Sequence, residues 1–371
     1  MQPELYLGLI SGTSADGIDV ALASFESQPK QHAALTYPYP EDLRLRILAL
    51  AQGDGRIALD ELGALDVEIA RTFANAANAL LARAGIGASA VAALGSHGQT
   101  VRHRPLGATP YTLQLGDANI IAEITGITTV ADFRRRDIAA GGQGAPLAPA
   151  FHAAMLAHSD ATRVALNLGG IANITILSGD ARMPLRGFDT GPASCLLDAW
   201  AQLHLGKPFD ADGTFAASGK VDERLLARLL SEAYFAIPPP KSTGREVFHL
   251  TWLQQHLNGI SVAPADVQAT LVALSAHSIA DAVRAYAADA REMLVCGGGV
   301  HNPVLMAAIA ATLAPILVRS VATLGIDPDF VEAMTFAWLA RERIAGRAPE
   351  NVYNVTGARS PRVLGGIYFS G

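Results

Sequence analysis

The chain has 371 residues, 50% of them hydrophobic and 17% charged, with a formal net charge of −6. That length is the size of about two domains of an ordinary folded protein, and the acidic balance excludes a global basic field for nucleic acid. Two cysteines, Cys195 and Cys296, exclude a disulfide framework and suit a reducing compartment. No run approaches the ~18 apolar residues of a membrane span. The opening Met1-Gln2-Pro3-Glu4-Leu5 has no basic start of a signal peptide, so a cytoplasmic protein is expected, without nucleic-acid or membrane partners.

In chain order, 6–10 and 19–25 read as strands around the small-residue turn Ser11-Gly12-Thr13-Ser14-Ala15-Asp16-Gly17. A polar, proline-containing stretch runs to about Pro40. Helices follow at 42–51 and 60–84; in the second, Leu62, Leu65, Ile69, Phe73, Ala76, Leu80 and Leu81 recur at helical spacing. A short buried strand at 91–95 ends in Ser96-His97-Gly98-Gln99-Thr100. A strand at 112–115, a helix at 117–126 and a strand at 128–131 lead to Asp132-Phe133-Arg134-Arg135-Arg136-Asp137. The glycine loop at 141–146 and a connector helix at 147–158 close this half.

The pattern then restarts. A buried strand at 163–168 runs into Gly169-Gly170-Ile171-Ala172-Asn173, with strands at 174–177 and 186–188. The latter ends at Asp189-Thr190-Gly191-Pro192, before a helix at 194–204. A rigid loop, Pro238 to Arg245, and a long helix at 267–288 precede a strand at 292–296. That strand ends in Gly297-Gly298-Gly299-Val300-His301-Asn302. Helices at 303–312 and 329–344 follow, with an irregular tail from Gly346. Two α/β domains are expected, 1–150 with 345–371 and 151–344, with a ligand cleft between them.

There is neither a P-loop nor a strand–G-x-G-x-x-G–helix fingerprint. Three separate small-residue turns stand in their place. Gly12, Thr13, Ser14, Ala15, Asp16 and Gly17, running into Ile18 and Asp19, suit a phosphate with their N–H groups and hydroxyls. Asp16 and Asp19 are placed to hold a metal ion, directly or through water. Gly169, Gly170 and Asn173 form a second phosphate clamp. Gly297, Gly298 and Gly299 let a flat nucleoside lie against backbone. Each turn alone reads equally well as punctuation; three in this order suggest the two-domain actin-like, sugar-kinase and heat-shock-ATPase fold, of the ribonuclease H-like type.

Asp189, where a strand meets a helix start, suits a general base; its bland role is an N-cap, which Thr190 could fill instead. Glu332 either complements a helix dipole or bonds a sugar hydroxyl or water. His97, Gln99 and Thr100 form a dense polar run suited to substrate. One of Arg134 to Arg136 turned inward would suit an anion. No serine elbow or zinc spacing is present.

Nine blocks of residues carry a resemblance. They are 12–19, 96–100 with His103-Arg104-Pro105, Ala131 to Asp137, Gly141-Gly142-Gln143-Gly144-Ala145-Pro146-Leu147, Asn167 to Asn173, Phe188 to Pro192, Asp212-Gly213, Pro239-Pro240-Lys241-Ser242-Thr243-Gly244-Arg245 and Cys296 to Gly299. In this order they resemble the anhydro-N-acetylmuramic acid kinase family over essentially the whole chain. The resemblance implies an ATP- and Mg²⁺-dependent enzyme of peptidoglycan recycling that opens the 1,6-anhydro ring with water and phosphorylates O6. It implies Asp189 as catalytic base, Glu332 as a sugar-contacting carboxylate, the 12–19 block as ATP phosphate loop, and a homodimer; from the residues themselves, His97, Gln99, Thr100 and Arg134 are expected as substrate contacts. Two positions depart from the family pattern: Ala15 replaces a methionine, and Ala193-Ser194 replaces Gly-Asn. Ala193 is expected to hold a helical conformation, so that the turn survives. An ordinary sugar kinase, with Asp189 deprotonating a free hydroxyl, is the nearest rival. A non-enzymatic actin-like switch would leave Asp189 and Glu332 without a purpose.

Overall fold

The computed structural model describes residues 3–371 apart from Ser27, Ala181 and Glu350; Met1 and Gln2 of the opening stretch lie outside the described residues. The chain forms two compact units: one runs up to Met155 and resumes at Gly325–Gly371, and the other is Leu156–Leu324.

The first unit is built on a seven-stranded sheet. Its strands are β1 (Leu5–Ser11), β2 (Ile18–Phe25), β3 (Pro29–Tyr37), β4 (Val91–Arg104), β5 (Tyr111–Leu115), β6 (Thr129–Ala131) and, after the second unit, β12 (Gly366–Tyr368). The order is β12-β6-β4-β1-β2-β3, with β5 on β4. β1, β2 and β3 form an antiparallel meander, and β4 returns parallel to β1. The second unit repeats this plan with β7 (Arg163–Leu168), β8 (Ile171–Leu177), β9 (Arg186–Pro192), β10 (Glu292–Cys296) and β11 (Leu317–Ser320). Its order is β11-β10-β7-β8-β9: an antiparallel meander, then β10 parallel to β7. The restart at 163–177 is therefore a repeat of topology.

Several elements differ from expectation. The polar stretch before Pro40 is β3, an alternating exposed and half-buried strand paired with β2. β4 does not stop at Gly95; it continues through the 96–100 run, whose backbone is held by β1 and β5. Asn173 lies within β8, so the second turn shrinks to Gly169-Gly170. β9 continues past Phe188 through Asp189 to Pro192. Beyond Gly346 the tail contains the helix Val352–Thr356 as well as β12. The return crossing lies at Leu324/Gly325 rather than 344/345. The reason is the helix Val331–Ile344, which packs on β1, β2 and β4 of the first unit. No helix among the described residues is long and apolar enough to cross a membrane.

That helix approaches its sheet unusually closely. Gly8 of β1 and Gly95 of β4 are register partners. A Cβ on Gly8 would run into the Ala333 carbonyl oxygen, and one on Gly95 into that of Phe336. Ala333, Ala337 and Ala340 are fully buried, so small residues meet on both sides. A methyl group at either glycine must push the helix away, and overpacking of this kind costs roughly 1–3 kcal/mol or more. Gly8→Ala should lower the urea midpoint accordingly at unchanged m-value. An unmoved midpoint would mean the contact is not tight.

Candidate active site

In the first unit the β1–β2 turn is held from beneath. The Ala15 N–H donates to the Gly12 carbonyl over 3.1 Å, and Ala15 takes a left-handed φ of 51°. Its methyl group and the Ile18 side chain are fully buried, so only their backbone is available to a ligand. The Gln99 side chain donates to the same Gly12 carbonyl over 3.0 Å and accepts from the Tyr39 hydroxyl over 3.1 Å. Gln99 is completely buried. It therefore fastens the turn and is not the substrate contact expected of it. Thr100 is likewise engaged, its hydroxyl accepting from the Gln114 amide over 3.1 Å.

Asp16 and Asp19 serve different neighbours. Asp16 is exposed and meets Arg44 at 3.5 Å. Asp19 accepts from the Thr36 hydroxyl over 2.6 Å. Burial raises the Asp19 carboxyl above its ordinary range; the Thr36 bond opposes this, and Asp329 and Asp327 add to the rise. A carboxylate crowded by others is a place where a cation is stabilising. Among the described residues no group of three or more His, Cys, Asp or Glu is arranged to hold a metal ion. Asp19 thus fits magnesium held largely through its own waters, that ion's usual habit, whereas Asp16 shows no convergence on the same point.

Glu332, in the first turn of the Val331–Ile344 helix, faces solvent. Crowding by protein raises its carboxyl, Arg134 opposes the rise, and Asp19 adds to it; water moderates the shift at so open a group. Arg134 is the inward member of the arginine run, while Arg135 and Arg136 are exposed. Its Nε donates to His97 Nε2 over 2.9 Å and a terminal nitrogen donates to the Gly144 carbonyl over 2.8 Å. Burial brings Arg134 down to about 10, against the pull of Glu332 and Asp137. His97 is buried, its ring 4.7 Å from that of Phe336. Burial, then Arg134, holds its imidazole well below the usual range. It is neutral, and Nε2 is an acceptor. Through that bond it fixes the direction of the Arg134 guanidinium.

In the second unit Asp189 lies inside β9, so the N-cap reading fails for it and for Thr190, which bonds the Ala172 carbonyl. One carboxylate oxygen, Oδ2, accepts from the Ser242 hydroxyl over 2.8 Å and the Thr243 N–H over 3.0 Å. Among the described residues the other oxygen has no hydrogen-bond partner. The Tyr234 hydroxyl donates to the Asp189 carbonyl over 2.7 Å, fixing the backbone as well. Burial raises this carboxyl above its ordinary range, against the Thr243 and Ser242 bonds and with Glu246 adding. A carboxylate fixed by one oxygen, open at the other and more basic than usual has the properties of a general base. The sequence marks the loop that contains Ser242 and Thr243 but carries no signal that they hold Asp189.

The same unit contains a cavity of about 520 Å³, within the range of small-ligand sites. Gly169, Gly170, Gly298 and Gly299 line it, so two of the three turns meet on one cavity. Gly297 turns the chain just before it, and Asn173 is not among its lining residues. Phe209, Asp198 and Asp210 also line it and carried no motif. Phe209 is an exposed aromatic surface suited to a base. Ala193 is not helical, with φ −122° and ψ −105°. The turn survives for a different reason: the Ala193 and Cys195 N–H groups both donate to the Gly170 carbonyl, and Ser194 N–H to that of Gly169.

The profile of the anhydro-N-acetylmuramic acid kinase family matches residues 4–370. The chain belongs to that family. An anhydro-N-acetylmuramic acid kinase of Xanthomonas campestris pv. campestris (strain 8004) is 56% identical over 98% of this chain and 97% of its own. One from Coxiella burnetii (strain Dugway 5J108-111) is 48% identical over 100% and 98%. Component A of the (R)-2-hydroxyglutaryl-CoA dehydratase of Acidaminococcus fermentans matches in structure with a TM-score of 0.50. It is 11% identical, with 92% of this chain and 99% of that chain covered. The fold is the two-domain actin-like ATPase fold, and the family is one of kinases.

Replacing Gln99 by Leu takes the Gln99 acceptor from the Tyr39 hydroxyl and leaves the Gly12 carbonyl with the Ala15 N–H alone. It should cost about 1–3 kcal/mol of stability and speed hydrogen exchange in the 12–17 turn. Unchanged stability and exchange with a raised KM for sugar alone would restore Gln99 to substrate contact.

Proposed function

We propose that the enzyme transfers the γ-phosphoryl group of ATP to O6 of 1,6-anhydro-N-acetylmuramic acid while adding water at C1. The products are N-acetylmuramic acid 6-phosphate and ADP, within peptidoglycan recycling. The family match names the substrate class, and the observation that carries the mechanism is Asp189, held by Oδ2 and open at the other oxygen.

Asp189 takes a proton from the attacking water. O6 would leave C1 as a poor alkoxide; capture by the phosphoryl group removes that difficulty and couples the two events. Attack opposite the bridging oxygen inverts C1, as in inverting glycoside hydrolysis. Glu332 and Arg134 hold the sugar. His97 aims Arg134, and the Gly12–Asp19 turn, fastened by Gln99, receives phosphate with its backbone N–H groups. The cavity lined by Gly169, Gly170, Gly298 and Gly299 takes the nucleoside, with Phe209 against the base. Magnesium near Asp19 would supply charge neutralisation on the phosphates. The family resemblance also supports a cytoplasmic homodimer.

Asp189→Asn should keep the fold and ATP affinity but lose roughly 10²–10⁴-fold in turnover; near-normal turnover would remove Asp189 from the role. A base works only when ionised, so activity falls as pH drops through its pKa. Because burial raises that pKa, the acid limb should lie above the range of an exposed aspartate. Ser242→Ala removes a donor that stabilises the charged form and should move the limb to still higher pH. A limb unchanged in this variant would separate Asp189 from the pH profile.

A further inference from the structure

The Pro239–Arg245 loop does more than support the base. Its Lys241 carbonyl accepts from the Asp189 N–H over 3.3 Å, and Ser242 and Thr243 hold Oδ2. Two residues beyond Thr243, Arg245 reaches the Gly169-Gly170 turn that lines the nucleoside cavity. Its guanidinium nitrogens lie 3.5 and 3.6 Å from where a Cβ on Gly170 would sit. Its charge is felt by Asp198 on the cavity wall and by the neighbouring Cys195.

Arg245 itself is exposed, and among the described residues it makes no ion pair or hydrogen bond through its guanidinium. Two neighbouring facts narrow its purpose. The first amides of the Ser194–Leu205 helix are spent on the Gly169 and Gly170 carbonyls, so they are not available to an anion. The carboxylates of Asp198 and Asp210 also line the cavity and would repel a polyphosphate. A cation is needed on that side, and an unengaged guanidinium fork against a glycine turn is suited to bidentate phosphate binding.

We propose that Arg245 is a phosphate-binding residue for the nucleoside triphosphate, and that the Lys241–Arg245 segment links phosphate binding at one end to the setting of the Asp189 carboxylate at the other. Nucleotide then does two things at once: it supplies the phosphoryl group and firms the loop whose Ser242 and Thr243 orient the base. An enzyme built this way activates water efficiently only when a phosphoryl donor is in place. The inference rests on the reading of Asp189 as base for its second half only.

The test uses the full-length enzyme with Arg245→Gln and Arg245→Lys. Affinities for ATP, ADP and adenosine come first. Arg245→Gln should weaken ATP and ADP by about tenfold to a hundredfold, the scale of charged hydrogen bonds, and leave adenosine unchanged. Arg245→Lys should recover part of the loss, because it restores charge without the fork. Equal weakening of ATP and adenosine, or none, overturns the phosphate role.

The second readout is the pH profile of turnover at saturating substrates. Arg245 is not among the charges that bear on the Asp189 carboxyl, so a change there must travel through the loop. Arg245→Gln should lower kcat as well as affinity and move the acid limb upward, in the direction expected for Ser242→Ala. Loss of ATP affinity with an unmoved limb would overturn the linkage and keep the phosphate contact. Full activity of Asp189→Asn would instead defeat the base reading and leave the affinity comparison standing.

Discussion

The close seat of the Val331–Ile344 helix on Gly8 and Gly95 is the constraint on which the first unit depends. Two strands that lack side chains at partnered positions let a helix with alanines at 333, 337 and 340 lie almost on the sheet. The polar groups follow from that seat. Glu332 emerges at the first turn, and Phe336 lies against His97. His97 takes the Arg134 Nε–H, and Arg134 in turn bears on Glu332. A cation, a neutral imidazole and a carboxylate are thus set by apolar packing before any ligand arrives, which is the preorganisation that phosphoryl transfer chemistry requires.

The second unit reaches a comparable result on the same strand plan by other means. Asp189 sits inside β9, where a strand gives less freedom than a loop. Burial and Glu246 make it more basic, and two donors on a single oxygen keep it from turning. The meander that carries Asp189 also carries the Gly169-Gly170 turn, and β10 delivers Gly298 and Gly299 to the same cavity. Asp189 and the glycine-lined cavity therefore rest on one sheet, with the Pro239–Arg245 loop touching both.

Much of this was legible because the decisive residues interrupt apolar strands. Small residues cluster after 5–11, after 163–168 and after 292–296, where apolar strands end, and three such turns in one chain point to ligands. Asp189 and Glu332 stood out for the same reason. What escaped was context. The 96–100 run looks like a strand end because it is polar, yet β5 and β1 pair with it, and Gln99 is consumed in bonds to Gly12 and Tyr39. β3 is hard to see in the sequence because its exposed face is polar and it begins at Pro29. Val331–Ile344 reads in sequence as part of the second unit because its partners, β1 and β4, lie more than 200 residues away. Phe209 and Asp198 carry no local signal; only the folded cavity reveals them.

The central claim is that water adds at C1 as the C1–O6 bond breaks, and that the freed O6 is the oxygen that takes the phosphoryl group. Turnover in ¹⁸O-labelled water, quenched before the free sugar can exchange its anomeric oxygen, tests it directly. One label should appear at C1 of each phosphorylated sugar and none in its phosphate. Unlabelled sugar phosphate, or label in the phosphate, would contradict the account.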